Sequence, residues 1–249
     1  MIIDRCTDTH ALRTLWKQAF GDPDAFLDDF FTTGFSPDRC RALTADGQLA
    51  AALYWFDCHW NGQPVAYLYA IATDEAFRGQ GLCKALMADT HRHLQQLGCQ
   101  GALLVPAKES LFGFYEKIGY RTCSYVTEFT ASAAEPISIK EVCAAEYARL
   151  RKQYLPTGGV VQEDAVLAFL QTQAQFYVGA DFLLCATLDG DTLVVPELLG
   201  NLSAAPAVTA ALGARQGRFR VPGKDKPFAM YFSFSPSDAA PDYFGLALD

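Results

Sequence analysis

The sequence has little positive charge. Its 249 residues include 20 Lys and Arg against 28 Asp and Glu, which gives a formal net charge of −8. Nucleic acids are bound mainly through clusters of basic side chains that neutralise phosphates, and the sequence shows no such cluster. We therefore expect no nucleic acid partner. The acidity instead favours a partner that carries positive charge.

The sequence also lacks the cysteine patterns of metal sites and the features of secreted or membrane proteins. Its eight cysteines include no C-x-x-C pair, and no histidine stands at zinc-ligand spacing from any of them. Met1 to Arg5 does not resemble a signal peptide, and no apolar run approaches the roughly 20 residues of a membrane-spanning helix. We expect no metal, no membrane partner and a cytoplasmic location with reduced cysteines.

Two common nucleotide-binding motifs are absent. No G-x-x-x-x-G-K-[ST] run occurs, and a dinucleotide fingerprint would need a third glycine where Lys84 stands. What is present is a glycine pair, Gly79 and Gly81, between two periodic stretches. The apolar run from Val65 to Ile71 predicts a buried strand, and the apolar spacing after Gly81 predicts an amphipathic helix that stops at Gly98.

The glycine pair therefore lies where a strand passes into a helix. The first N–H groups of a helix have no acceptor within the helix, and they stand at the positive end of its dipole. Glycine lets a diphosphate approach such groups without a side chain in the way. The segment thus predicts an anion-binding loop, with the amides of residues 77 to 83 as its donors.

Two motifs in this region resemble those of the GNAT superfamily of N-acetyltransferases. Residues 76–81, Ala-Phe-Arg-Gly-Gln-Gly, resemble the acetyl-CoA loop Q/R-x-x-G-x-G/A, although Ala76 departs from its first position. Residues 114–120, Phe-Tyr-Glu-Lys-Ile-Gly-Tyr, resemble the F-Y-x-x-x-G-F/Y segment that follows the loop in this family. Each motif alone is weak, but their order and the predicted elements around them make the resemblance specific.

The resemblance implies acetyl-CoA as the donor and a set of site residues. In the family, the strand before the loop splays from the next strand and exposes backbone groups to the cofactor. Tyr115 matches the family's tyrosine that protonates the departing sulfur. The residues implied to bind the cofactor are Ala70, Ile71, Ala72, Phe77, Arg78, Gly79, Gln80, Gly81, Leu82 and Cys83.

The sequence does not identify a general base. Many GNAT enzymes carry a glutamate near the position of Val65, where this chain has none. An acidic run, Asp24, Asp28 and Asp29, could line the mouth of an amine site or form an ordinary solvated helix face. A chain of water molecules is one alternative base, and the side-chain alternatives are Tyr67, Tyr69, Asp57, His59, Glu109 and Asp249.

The predicted elements of the first half follow the order of the GNAT fold, an α/β fold (α+β, with a mixed sheet). A short strand and two helices come first. Asp46-Gly47 and Asn61-Gly62 then predict two hairpin turns and an antiparallel meander before the glycine loop. A helix, a strand at 102–105, a further helix and a strand at 122–130 complete this half.

The second half repeats this order in a weaker form. Two helices, Ala144 to Tyr154 and Glu163 to Phe176, precede a hairpin at Asp189-Gly190. Where the glycine loop should come, Leu199 to Pro206 offers one glycine and no arginine. The last predicted strand, Tyr243 to Leu248, belongs to an aromatic region that would close the acceptor side of a cleft or form a homodimer interface.

We therefore expect a GNAT domain at residues 1–131, a linker at 132–136 and a GNAT-like domain without a cofactor loop at 137–249. The predicted activity is direct transfer of an acetyl group from acetyl-CoA to a primary amine of a small molecule or peptide. Two alternatives remain, a non-catalytic acyl-CoA sensor and an interaction module whose second half fills the cleft. Tyr115 argues against a sensor, because a protein that only binds needs no acid near the leaving sulfur.

Overall fold

The computed structural model describes residues 1–236 and 239–248, which form two mixed β-sheets and seven α-helices. The first half contains β1 (Ile2–Asp4), α1 (Thr9–Phe20), α2 (Asp24–Asp29), β2 (Cys40–Ala45), β3 (Gln48–Trp60), β4 (Gln63–Thr73), α3 (Leu82–Gln96), β5 (Gly101–Leu104), α4 (Phe112–Glu116), β6 (Arg121–Thr122) and β7 (Tyr125–Ser132). The second half contains β8 (Lys140–Val142), α5 (Ala144–Tyr154), β9 (Val161–Gln162), α6 (Asp164–Gln173), β10 (Gln175–Val178), β11 (Phe182–Asp189), β12 (Thr192–Gly200), α7 (Ala205–Ala211), β13 (Gln216–Pro222), β14 (Lys226–Pro227) and β15 (Met230–Ser233).

The meander predicted in the first half is confirmed. β2, β3 and β4 pair antiparallel in chain order. Both central residues of each turn have positive φ, with 52° and 77° at Asp46 and Gly47 and 49° and 73° at Asn61 and Gly62. Turns of this kind twist in the same sense as the strands they join, which is why Asp-Gly and Asn-Gly are favoured in them.

Strands of each half join the sheet of the other half. The first sheet has the order β1-β2-β3-β4-β5-β15-β6, so β15 from the second half lies between β5 and β6. The two-residue strand β9 of the second half pairs antiparallel with β3, off the main strand order of the first sheet. Conversely, β7 from the first half pairs with β13 in the second sheet, whose order is β14-β7-β13-β12-β11-β10-β8. The single strand predicted at 122–130 is therefore wrong, because residues 121–122 and 125–132 belong to different sheets.

Apart from this exchange, the halves repeat one another. In each, an antiparallel meander leads through a helix to a parallel strand, β4–α3–β5 in the first and β12–α7–β13 in the second. The exchanged strands are equivalent, since β15 pairs antiparallel with β5 and β7 with β13. The repeated order predicted from the sequence is thus present. The division at 1–131, 132–136 and 137–249 stays a prediction, and strand pairing crosses it in both directions.

A single central core joins the two halves. It lies between the inner faces of the two sheets and includes α1, α2, α5 and α6. Phe30 of the first half contacts Phe169 of α6 with ring centroids 5.3 Å apart, and both side chains are fully buried. A second, outer core packs the other face of the first sheet against α3 and α4. Each half therefore covers apolar side chains of the other half, and these would be exposed to water if that half stood alone.

Residues 243–248, which we call the strap, also lie between the halves. The strand predicted there is wrong, because the strap forms only an isolated bridge between Tyr243 and Gly159. Residues 243–247 are nevertheless buried, with Phe244 and Leu246 at 0% exposure, and Leu248 is partly exposed. The alternating apolar pattern thus reflects burial on both sides of the strap, not pairing in a sheet.

No helix within residues 1–236 and 239–248 is both long and apolar enough to cross a membrane. All eight cysteines are free thiols.

Candidate functional site

β4 and β5 separate soon after they begin to pair. Their parallel ladder joins Ala66 to Ala102 and Tyr67 to Leu103. β4 then continues to Thr73, and in the described chain no strand pairs with it on the β5 side beyond Tyr67. Backbone N–H and C=O groups along the gap are therefore available to an extended ligand.

A β-bulge lies in the part of β4 that borders this gap. The register passes from Tyr54–Tyr69 to Ala52–Ala72, so β4 holds one residue more than β3. Ala70 has φ of 48°, in the left-handed region that non-glycine residues rarely adopt. Strained backbone of this kind costs about 1–3 kcal/mol and is frequent at functional sites. Nothing in the sequence indicates the bulge, since no glycine marks it.

The loop from 74 to 81 places the start of α3 beside the gap. Gly79 and Gly81 have φ of 76° and 77°, and a Cβ at either would meet no atom within 4 Å. The first N–H of the helix to find an acceptor is that of Ala85, which bonds Gly81 O at 3.1 Å. The N–H groups of Leu82 and Cys83 therefore have no acceptor within the helix. The loop has the form of an anion-binding site, with open space in front of its amides.

Arg78 supports this loop from behind. Its Nε donates to Thr73 O at 3.2 Å, and its Nη1 lies 3.1 Å from Glu75 Oε1. Asp74 accepts a hydrogen bond from Ala76 N at 2.8 Å. The guanidinium is thus bonded within the loop, which leaves the backbone as the main donor to an anion.

The corresponding loop of the second half has its amides occupied. Asn201 N donates to Asp181 O at 3.0 Å, and Ser203 N donates to Asn201 Oδ1 at 3.0 Å. A Cβ at Gly200 would lie 2.3 Å from Asp181 O, so this glycine packs against its neighbours, whereas Gly79 and Gly81 face open space. That the second half binds no cofactor stays a prediction.

Tyr115 lies on α4, in the outer core. Its ring is 5.7 Å from that of Tyr120, centroid to centroid. Burial, and to a smaller extent the nearby Cys83 thiol, raise the pKa of Tyr115 well above its ordinary value of about 10. Within the described residues its hydroxyl has no hydrogen-bond partner. The phenol is therefore protonated at neutral pH, with a hydroxyl that is free to donate.

A buried His91–Tyr120 pair lies next to Tyr115, and no sequence pattern predicts this pair. His91 Nε2 and the Tyr120 hydroxyl are 2.7 Å apart, and the imidazole stacks on Phe232 of β15 at 4.3 Å. Burial lowers the pKa of His91 to about 4, so the ring is neutral at physiological pH. A cavity of about 630 Å³ opens beside it along α3, and no residue of β4 lines that cavity. Of these two residues, only Tyr120 is indicated by the sequence, because it is the last residue of the motif at 114–120.

The structure separates the candidate bases. Asp57 pairs with Ala66 of β4, whose side chain faces the outer core, so Asp57 lies on that face of the first sheet. His59 follows two residues later in β3 and lies on the same face. Glu109 is exposed in the turn before α4. Tyr67 and Tyr69 instead face the central core beside the gap. Asp249 lies outside the described residues.

The acidic run on α2 forms surface contacts. Asp24 pairs with Lys17, and Asp28 Oδ1 lies 2.7 Å from Arg13 Nη1. Asp29 accepts a hydrogen bond from Gln173 Nε2 of the second half at 2.9 Å. These contacts fit the solvated helix face that was one of the two interpretations of this run.

Residues 5–123 match the model of the acetyltransferase (GNAT) domain. The chain is 27% identical to mycothiol acetyltransferase of Saccharomonospora viridis over 123 residues, 46% of this chain and 36% of the relative. It is 37% identical to glucosamine 6-phosphate N-acetyltransferase of Trypanosoma brucei brucei over 61 residues, 24% of this chain and 41% of the relative. The chain thus spans about two fifths or less of the length of these two relatives.

The crystal structure of a GCN5-related N-acetyltransferase from Kribbella flavida has the same fold as both halves of this chain. It superposes with a TM-score of 0.70 at 17% identity and covers 92% of this chain and 70% of that one. The glycine loop, the gap between β4 and β5, and Tyr115 all lie within the matched residues 5–123. By the family match, residues 5–123 are therefore a GNAT acetyltransferase domain.

Proposed function

We propose that the protein transfers an acetyl group from acetyl-CoA to a primary amine. The observation that carries this proposal is the gap between β4 and β5, with the amides of α3 at one end and Tyr115 near Cys83 in the first turn of that helix. A diphosphate would bind the amides of residues 77 to 83. The pantetheine arm would pair with β4 as an added strand does, with Ala70, Ile71 and Ala72 nearest the thioester. The reduced cysteines support a cytoplasmic location.

The amine would approach on the face of the first sheet that borders the central core, because α3 and α4 cover the opposite face. Attack of the nitrogen on the carbonyl carbon forms a tetrahedral intermediate, and backbone N–H groups at the bulge could bind its oxyanion. Collapse breaks the carbon–sulfur bond, and Tyr115 donates its proton to the thiolate. The amine must lose a proton before attack, and Tyr67 and Tyr69 are the described side chains best situated to hold a water that accepts it.

Two measurements separate this proposal from its alternatives. Calorimetric titration with acetyl-CoA tests the loop, since an interaction module would show no binding. Thiol release in the presence of primary amines then distinguishes an enzyme from a sensor, which binds acetyl-CoA without releasing CoA above the rate of hydrolysis.

Gly81→Val provides a direct test of the loop. Valine at φ of 77° is strained, and its side chain would stand in the open space in front of the amides. We expect acetyl-CoA binding to become undetectable by titration calorimetry. Gly213→Val is the matched control, because Gly213 has φ of 76° and equally open surroundings but lies after α7. We expect the two variants to lose similar amounts of stability, but only Gly81→Val to lose its binding of acetyl-CoA. Unchanged affinity in Gly81→Val would contradict the assignment.

A further inference from the structure

The strap reaches β4 at the point where β4 leaves β5. Tyr67 is the last residue of β4 that pairs with β5. Its hydroxyl accepts a hydrogen bond from Leu248 N at 3.1 Å, and its ring lies 4.7 Å from that of Phe244. The strap therefore runs along the central-core side of the gap, on the face from which an acceptor would approach.

Partly exposed side chains lie around the gap on this face, and the end of the strap is among them. Tyr69, Ala70, Val105 and Leu248 pack on the central core but remain partly exposed. Deeper in the core, Tyr67 and Phe244 are almost fully buried. Leu248 thus belongs to the ring of side chains through which a ligand would pass.

The strap is held too firmly to act as a removable plug. Tyr243 Oη donates to Glu197 Oε1 at 2.9 Å, and Gln162 Nε2 donates to Leu246 O at 2.7 Å. Ser124 Oγ donates to Phe244 O at 3.1 Å and accepts from Phe244 N at 3.0 Å. Displacement would break all four bonds and expose Phe244 and Leu246, which are at 0% exposure. The strap is a permanent part of the wall.

The side chains of this wall offer an acceptor apolar surface and no unpaired buried charge. The strap contributes the partly exposed side chain of Leu248, and the buried ring of Phe244 lies behind it against Tyr67. Among the described residues, Arg151 and Glu197 are the only buried side chains with a permanent charge, and they bond each other at 2.7 and 2.8 Å. A phosphate or carboxylate close to the amino group would lose its hydration there without finding a partner.

We propose that the strap forms one wall of the acceptor site and selects amines whose amino group is carried on an apolar arm. This rests on the proposed transfer to an amine. Phenethylamine and 2-aminoethyl phosphate are a matched pair of probes, because both carry the amino group on two methylenes and differ only in the phenyl or phosphate end. With acetyl-CoA saturating, we expect the KM for phenethylamine to be at least about tenfold lower, the usual scale of discrimination by an apolar pocket.

Leu248→Asn tests the strap itself, since it replaces a partly exposed apolar side chain with a polar one of similar size. We expect the KM for phenethylamine to rise about tenfold, while the KM for acetyl-CoA stays within twofold. Titration of phenethylamine into protein saturated with CoA should show the same loss of affinity without any turnover. Leu212→Asn is the control, because Leu212 is also partly exposed but packs on the second sheet beside α7.

The outcomes separate this inference from the proposed function. If amines release CoA but Leu248→Asn behaves as the wild type does, or if 2-aminoethyl phosphate is preferred, the strap inference alone is overturned. If both variants raise both KM values equally, Leu248 has only a structural role, and the inference again fails. If acetyl-CoA binds and no amine releases CoA, the proposed function fails and the inference fails with it.

Discussion

Two neighbouring phenols in the outer core differ in their bonding. The Tyr120 hydroxyl is paired with His91 at 2.7 Å, whereas the Tyr115 hydroxyl has no partner among the described residues. A buried hydroxyl normally finds a partner, so one without a partner in the protein is available to a ligand. This contrast favours Tyr115 over Tyr120 as the donor to a leaving thiolate.

We expect Tyr115→Phe to lower kcat by about 10²-fold or more, because the thiolate would leave without a proton donor. The affinity for acetyl-CoA should change by less than about twofold, since the ring and its packing remain. Steady-state thiol release and calorimetric titration measure the two quantities. Tyr120→Phe removes the neighbouring hydroxyl and should leave kcat much closer to that of the wild type. Equal turnover in Tyr115→Phe and wild type, with chemistry rate-limiting, would exclude Tyr115 from the mechanism.

His91 makes the stability of the fold depend on pH. Its folded pKa of about 4 lies below the ordinary value of about 6.5, so the unfolded chain takes up the proton first. The contribution of His91 to the free energy of unfolding is therefore complete above about pH 6.5. It is lost as the pH falls towards 4, by about 3 kcal/mol in total.

Urea unfolding at pH 7 and pH 4.5 measures this loss. We expect the wild type to lose about 2–3 kcal/mol more than His91→Gln between these two values, because glutamine cannot take up the proton. Glutamine can still hydrogen-bond to Tyr120, so the variant should fold at pH 7. The same loss in both proteins would mean that His91 does not carry this dependence.

At the scale of elements, the buried ion pair ties α5 to β12 and to the strap. Arg151 Nη1 donates to Val160 O at 3.1 Å, and Tyr147 and Tyr243 both donate to Glu197. Every atom of the pair is withdrawn from water, and each charge depends on the other for compensation. Removing one partner should therefore cost more than removing both.

Glu197→Gln should lower the free energy of unfolding by about 3–5 kcal/mol, because Arg151 would remain charged in the core. Arg151→Met combined with Glu197→Gln should cost less than Glu197→Gln alone, since no charge is then left unpaired. Chemical unfolding of the wild type, both single variants and the double variant completes the cycle. Strictly additive losses would show that the two charges do not depend on each other.

Elements whose signals are local could be predicted from the sequence. The bounds of α5 and the two turns of the first meander follow from apolar spacing and turn residues. The bulge at Ala70 and the His91–Tyr120 pair could not be predicted, because they depend on neighbours distant in the chain. The strap has the sequence pattern of a strand without being one, because burial on both sides also produces an apolar pattern.

In the whole molecule, the strand exchange makes each half depend on the other. Without β15, β5 would have an open edge and β6 would have no partner in the first sheet. β15 also packs closely, because the ring of Tyr231 lies directly over Gly101, where a Cβ would be 2.2 Å from its hydroxyl. Pairing partners this far apart leave no local trace, so the sequence could not indicate the exchange.

A fragment of residues 1–134 should therefore fail to fold, although the motifs alone suggest that it is a complete domain. We expect it to show no cooperative unfolding transition and no binding of acetyl-CoA. Co-expression with residues 135–249 should restore both, because β15 is then supplied in trans. Residues 135–227, which lack β15, are the control and should not restore them. A folded fragment 1–134 that binds acetyl-CoA would contradict this dependence.

The exchange also has a consequence during synthesis on the ribosome. After β5 emerges, its neighbour β15 is not available until nearly the whole second half has been translated, on the order of ten seconds later at typical rates. During that interval the first sheet presents an unpaired hydrophobic edge strand, and such an edge readily pairs with other chains and leads to aggregation. We expect a nascent chain of this protein to need shielding at that edge, so slower translation of the second half should lower the soluble yield.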